Sequence, residues 1–289
     1  MTAAALLHPD VSPKVVDRFR SSGAEIRIQD NLHDSANVSA ALICGGDGTV
    51  HRHLHQLHQQ KIPMLVVPAG SGNDFAKALG IGSEEIALRA WKQFCTCGNN
   101  VREIDLGVIR AGGEQILFCC IVGVGMDAEA NARANGMPQW LKSRGGYVLA
   151  ALQSLAAFQP VEMCLTVAGR ELRRAAFFVA VGNAHRYGGG MKVTPRALAD
   201  DGLLDVCLVG KMNKLKLLCW VPTIFFGGHL GLKQVEYFQA EWVRIETGRE
   251  LEVYADGDYV CRTPVEISVV RRGLRVIVPD GPEGQKTRK

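Results

Sequence analysis

Cys44-Gly45-Gly46-Asp47-Gly48-Thr49 and Val67-Pro68-Ala69-Gly70-Ser71-Gly72-Asn73-Asp74-Phe75-Ala76 are the two stretches on which the fold of this chain turns. Each follows a short apolar run and leads into a helical pattern. Ala40 to Cys44 precedes the first, and Thr49 to Gln60 follows it with Val50, Leu54 and Leu57 on one face. Pro63 to Val67 precedes the second, and Asp74 to Leu79 opens the helix after it. Working back, Ala3 to Leu7 and Glu25 to Ile28 read as strands, and Pro13 to Ser21 as a helix. Strand and helix in turn, with glycine at the strand ends, predict a parallel sheet covered on both faces. Glycines let a backbone approach an anion closely, and the helix N-terminus beyond offers N–H groups that lack intrahelical acceptors. Asp47 would repel a phosphate unless a magnesium ion lay between them. The first stretch is equally an ordinary glycine turn with Asp47 as helix N-cap. The second tips the balance, because two such turns can converge at one sheet edge, where open α/β sheets bind ligands.

Working forward, the pattern changes near Glu103. Longer strands rich in valine, isoleucine and phenylalanine follow: Ile104 to Arg110, Gln115 to Gly123, Val161 to Val167, Glu171 to Val181 and Leu203 to Val209. Trp242 to Thr247, Leu251 to Ala255, Val265 to Val270 and Leu274 to Val278 continue the series, with helical patterns at Pro138 to Ala157 and Lys211 to Phe226. Antiparallel sheets packed face to face have this composition. The expected division is an α/β nucleotide-binding domain over 1–105 and a β-sandwich domain over 106–289, with the extreme C-terminus packing back on the first.

Composition removes several classes. At 289 residues, 47% hydrophobic and 21% charged, the chain is globular rather than disordered. A net charge of +4 is mild, and no basic cluster precedes the tail Lys286, Arg288 and Lys289, so nucleic acid is not an expected partner. The nine cysteines include no pair of Cys-x-x-Cys units, which speaks against zinc and for free thiols in a reducing compartment. Met1 to Pro9 lacks the pattern of a signal peptide, and Lys216, Pro222 and His229 interrupt the longest apolar run, Leu215 to Leu232. A cytoplasmic protein is expected. His51, His55 and His58 share a helical stripe with no carboxylate on it, and read as a polar face.

GGDGT paired with PAGSGNDFA resembles the diacylglycerol kinase catalytic family, which includes bacterial lipid kinases and, more distantly, sphingosine and ceramide kinases. The likeness continues through Asp105-Leu106-Gly107, Val122-Gly123-Val124-Gly125-Met126-Asp127, Gly182-Asn183 with Gly188-Gly189-Gly190, and Pro195 to Asp205. Asp256-Gly257-Asp258 stands where the family has Asp-Gly-Glu. GGDGT alone is shared with NAD kinases and, loosely, phosphofructokinases; the full set is more selective. The resemblance implies an α/β N-terminal domain with a Rossmann-like parallel sheet, of NAD-kinase and diacylglycerol-kinase type, plus a β-sandwich C-terminal domain. It implies that Gly45, Gly46, Asp47, Gly48, Thr49, Gly70, Ser71 and Asn73 surround ATP phosphates, Ser71 replacing a usual threonine. Asp47, Asp74 and Asp105 would form a carboxylate network around catalytic Mg2+, partly through water, although Asp105 also reads as a solvated strand end. Asp258 would be the proton acceptor, and the carbonyls of Leu198 and Leu203 with the Asp201 side chain would ligate a structural Mg2+.

The expected activity is ATP-dependent phosphorylation of a lipid hydroxyl, with diacylglycerol giving phosphatidic acid and with phosphatidylglycerol, monoacylglycerol and sphingoid bases open as other acceptors. NAD kinase and a catalytically weak lipid-binding protein are the alternatives, the latter kept open by the shorter Asp258 and by His8-Pro9 in place of the family's Asn-Pro loop. Lys211, Lys214 and Lys216 ahead of Leu217, Leu218, Trp220, Ile224, Phe225 and Phe226 suit an amphipathic helix on a membrane surface, and equally a core helix. Pairing of edge strands into a homodimer is open to this chain.

Overall fold

The computed structural model describes residues 1–32, 38–70, 73–138 and 146–279. The chain forms two units: Met1–Leu106 joined by the chain from Arg271 onward, and Gly107–Val270.

In the first unit the strands β1 (Thr2–Leu7), β2 (Glu25–Gln29), β3 (Ala40–Gly45) and β4 (Met64–Pro68) are all parallel, in the order β2-β1-β3-β4. All six residues of β3 are buried, as a central strand covered on both faces requires. Between them run α1 (Lys14–Arg20) and α2 (Asp47–Gln60), followed by α3 (Asp74–Ala78) and α4 (Glu84–Cys97). Val50, Leu54 and Leu57 are buried on the inner stripe of α2. Helix α4 was not anticipated from the sequence. Ser83 caps it by accepting from the N–H of Ile86, and fully buried Trp91 donates its indole N–H to Phe19 of α1. The end of the long last strand, β15 (Val265–Ile277), lies parallel beside β4, with Val276 opposite Met64. Asn100 holds this returning segment: its amide nitrogen donates to both Ala90 O and Val278 O at 2.9 Å, and its own carbonyl accepts from Val278 N–H.

The second unit is built from antiparallel strand pairs, as in a β-sandwich. Its strands are the later part of β5 (Val101–Ala111), β6 (Glu114–Phe118), β7 (Ile121–Gly125), β8 (Val161–Val167), β9 (Arg170–Gly182), β10 (Leu204–Gly210), β11 (Val235–Ala240), β12 (Trp242–Thr247), β13 (Glu252–Ala255), β14 (Asp258–Arg262) and the first part of β15. One path of neighbours is β14-β13-β7-β9-β8-β12-β15; β10 pairs with β9 and β11, and β6 with β5. Helices α5 (Met126–Asn135) and α6 (Gly146–Ala157) pack on one another.

Several boundaries differ from the sequence reading. Gln115 to Gly123 is two strands, broken at Cys119-Cys120, where backbone N–H groups turn to the Asp256 carboxylate. Val265–Ile277 is one strand with Arg272 in the left-handed region inside it, not two. Lys211 to Phe226 is not one helix: α7 (Lys214–Trp220) gives way to a 3-10 segment, Val221–Phe226, at Pro222, which cannot donate an N–H. The helix expected from Pro138 is described only from Gly146; 139–145 lie outside the described residues. No helix among the described residues is long and apolar enough to cross a membrane.

Replacing Asn100 by alanine leaves the Ala90 and Val278 carbonyls without this buried donor, so we expect a loss of about 1–3 kcal/mol in urea unfolding.

Candidate active site

Strands β3 and β4 run in register with Cys44 beside Val67 and Gly45 beside Pro68, so the two glycine turns leave the same sheet edge side by side. Their backbones touch. A Cβ built on Gly70 would lie 2.6 Å from Gly46 Cα, closer than any side chain tolerates. Asn73, at φ 53°, closes the second turn by accepting from Gly70 N–H (2.9 Å) and donating to Gly70 O (2.7 Å).

Asp47 ties the turns together. It is the first residue of α2, yet its carboxylate caps α3: Oδ2 accepts from Asp74 N–H and Oδ1 from Phe75 N–H, each at 3.0 Å. Neither expectation for this residue, a cap on its own helix or a phosphate-side metal ligand, contained this bridge. It fixes the spacing of the turns. Thr49, only 2% exposed, has a hydroxyl with no hydrogen-bond partner among the described residues. An orphaned buried hydroxyl beside a helix N-terminus, in a cradle too tight for a Cβ, fits the oxygens of a bound phosphate. Ser71 lies outside the described residues.

Asp74 and Asp105 are 1% and 3% exposed. Asp105 is therefore not a solvated strand end: it sits inside β5, and its Oδ1 accepts from Arg272 N–H at 2.7 Å. Among the described residues, Asp47, Asp74 and Asp105 do not close into one group with ligand oxygens within 4.8 Å of one another. Any ion held by all three would need water to complete the set.

Within the second unit, the Asp201 carboxylate accepts from Leu203 N–H (3.0 Å) across the turn that Leu198 opens, and its other oxygen faces the Gln239 amide (3.3 Å). The same amide donates to Asp205, a fully buried residue that the sequence reading passed over and that also accepts from Tyr237 O–H (2.7 Å). Burial, aided by the Asp201 charge, pushes the Asp205 carboxyl above the ordinary range, against the pull of its Tyr237 and Gln239 hydrogen bonds. Two carboxylates sharing one amide offer hard oxygen donors of the kind that Mg2+ takes.

Asp256 and Gly257 both have positive φ, 52° and 96°, as a two-residue hairpin between β13 and β14 demands. Asp258 opens β14 as an exposed residue. Buried Asp256 is the residue that anchors the turn, accepting from Cys119 N–H (2.8 Å), Cys120 N–H (2.8 Å) and Ile121 N–H (3.1 Å). The Cys119 and Cys120 thiols lie within 4.8 Å of this carboxylate, but its oxygens are already engaged, so the group reads as a structural clamp rather than a metal centre. Asn135, the last residue of α5, donates to Gly257 O at 2.8 Å and steadies the hairpin from the other side.

Gly70→Ala forces the paired turns apart by an ångström or so. We expect kcat/KM for ATP to fall on the order of 100-fold, measured by steady-state kinetics, while circular dichroism stays native.

Two family models match the chain: the diacylglycerol kinase catalytic domain over residues 14–109, and the YegS C-terminal NAD kinase beta sandwich-like domain over residues 120–278. A diacylglycerol kinase of Mycobacterium tuberculosis is 36% identical over 283 residues, covering 91% of this chain and 88% of that protein. A diacylglycerol kinase of Bacillus subtilis is 25% identical, covering 82% and 77%. Among solved structures, a diacylglycerol kinase from Bacillus anthracis superposes with a TM-score of 0.71 at 20% identity, covering 97% of each chain. An NAD kinase from Archaeoglobus fulgidus in complex with ATP reaches 0.57 at 13%, covering 100% of this chain and 97% of its own, a likeness of fold. The two turns, the β-sandwich and these relatives agree: the chain belongs to the diacylglycerol kinase catalytic-domain family of lipid kinases.

Proposed function

We propose that this lipid kinase transfers the γ-phosphate of ATP to the free hydroxyl of diacylglycerol, giving phosphatidic acid. The observation that carries the reading is the pair of glycine turns held in contact by Asp47, with the orphaned Thr49 hydroxyl beside them. Diacylglycerol is favoured as acceptor because the M. tuberculosis and B. subtilis relatives bear that name.

In this reading Gly45, Gly46, Gly48, Thr49, Gly70, Ser71 and Asn73 hold the phosphates. Asp47 and Asp74, with Asp105, supply oxygens toward a catalytic Mg2+, which when bound would offset phosphate charge. Leu198, Asp201 and Leu203 would hold a second, structural Mg2+. The lipid oxygen bonds to the γ-phosphorus, the bond to the ADP oxygen breaks, and the hydroxyl proton passes to the Asp258 carboxylate. The hairpin presents that carboxylate, one methylene shorter than a glutamate, from a turn fixed by Asp256 and Asn135. Asp258→Asn is expected to lower kcat by about 10²–10⁴-fold, and Asp258→Glu to keep activity. Labelled ATP with Mg2+ and a panel of diacylglycerol, monoacylglycerol, phosphatidylglycerol, sphingosine and NAD checks both. Label transfer to NAD and to no lipid would overturn the assignment.

The substrate resides in a bilayer, and one surface suits contact with it. Leu215 is 72% exposed, Leu218 44% and Phe226 86%, next to Lys211, Lys214 and Lys216. These are the side chains offered to lipid; Trp220 is half-buried instead. Replacing Leu215 and Phe226 together by serine is expected to weaken sedimentation with anionic vesicles about tenfold or more without shifting the Tm, since neither contributes to the core.

A further inference from the structure

In the second unit, Gly188, Gly189 and Gly190 form a turn in which all three residues have positive φ, 61°, 89° and 102°, a run that only glycine adopts without strain. Its arms are pinned at Tyr187 and Met191, both buried, which exchange two backbone hydrogen bonds of 3.0 Å. Chain neighbours apart, no heavy atom among the described residues lies within 4 Å of where a Cβ on Gly189 or Gly190 would stand. The tip of the turn therefore offers bare backbone to open space. Arg186 and Lys192 flank the pinned pair, one on each arm, and both are half-buried.

Like charges facing one another across two paired arms cost stability. Neither cation is ion-paired with a carboxylate among the described residues. Arg186 instead donates from Nε to His185 Nε2 at 3.1 Å. Burial, with the nearby Arg186 and Lys192 charges, pushes the His185 imidazole down to about 4, so the ring is neutral at pH 7. With Nε2 accepting, its proton sits on Nδ1. The side chains of this cluster thus bring two positive charges and a further donor, and an anion between them would relieve the repulsion.

The setting of the turn says which anion. Lys192 N–H donates to Ile224 O at 3.0 Å, in the 3-10 segment that ends at Phe226, 86% exposed. The turn is braced on the segment offered to lipid. A phosphate monoester carries a charge of about −1.5 to −2 at pH 7 and so matches two cations, whereas a diester carries a single charge. Resting on that membrane-contact reading, we infer that Arg186, Lys192 and the glycine turn bind the phosphomonoester headgroup of a membrane lipid, phosphatidic acid being the simplest. None of these residues is among those assigned above to ATP, to Mg2+ or to proton transfer. Phosphatidic acid is also the product of the proposed reaction, so the site holds the enzyme on membrane that already carries its product.

Phosphatidylcholine vesicles carrying either phosphatidic acid or phosphatidylglycerol, matched in surface charge, test this without ATP. The wild type should sediment with the phosphatidic acid vesicles at about tenfold lower lipid concentration. Arg186→Gln combined with Lys192→Gln should abolish that preference, keep binding to phosphatidylglycerol within about twofold and leave the Tm no lower. Equal binding of the wild type to the two vesicles, or a preference that survives the double substitution, overturns the inference. The wild type alone gives a second readout. Dihexanoyl phosphatidic acid should shift the amide resonances of Gly188, Gly189 and Gly190, and inorganic phosphate at the same concentration should not; an equal shift by inorganic phosphate overturns the lipid assignment. Shifted glycine amides with no sedimentation on either vesicle uphold the headgroup site and sink the membrane-contact reading instead.

Discussion

Two turns from neighbouring parallel strands can form one cradle only if their separation is fixed, and a single carboxylate fixes it. Asp47 belongs to α2 by sequence and caps α3 by hydrogen bonding. Bonds from backbone N–H to an ionised oxygen are about twice as strong as neutral ones. They are also directional, so the start of α3 is positioned relative to that of α2. With that distance set, Gly46 and Gly70 must meet without side chains, and Asn73 must turn left-handed to let α3 begin.

A second carboxylate does the same work in the other unit. Asp256 collects three N–H groups from the break between β6 and β7, and so joins the hairpin that presents Asp258 to the strand that leads into α5. Removing those oxygens would strand three buried donors. In each unit, then, one aspartate holds the backbone of the proposed site in place.

The alternation of strand and helix up to Leu79 was legible because each fully buried strand is a short apolar run and each helix a one-faced stripe. The glycine turns were legible because their residue types admit few other conformations. What sequence could not show was partnership. Asp256 and Asp258 look alike in the string Asp-Gly-Asp; only the fold distinguishes the buried clamp from the exposed carboxylate. Asp205 was hidden as one polar residue in an otherwise apolar strand, with Tyr237 and Gln239 too far along the chain to be associated with it. Helix α5 was masked by the glycines before it, and its alanine-rich sequence has little amphipathic pattern.

The chain leaves the first unit along β5 and comes home along β15, so the sandwich is inserted into the α/β unit rather than appended to it. A fragment ending at residue 106 would therefore lack a neighbour for β4, whose outer edge would offer unpaired backbone groups to any passing strand. The nucleotide-binding half is not a module that evolution or an engineer can excise by a single cut. Its sheet is completed only by β15, so both halves depend on one continuous chain.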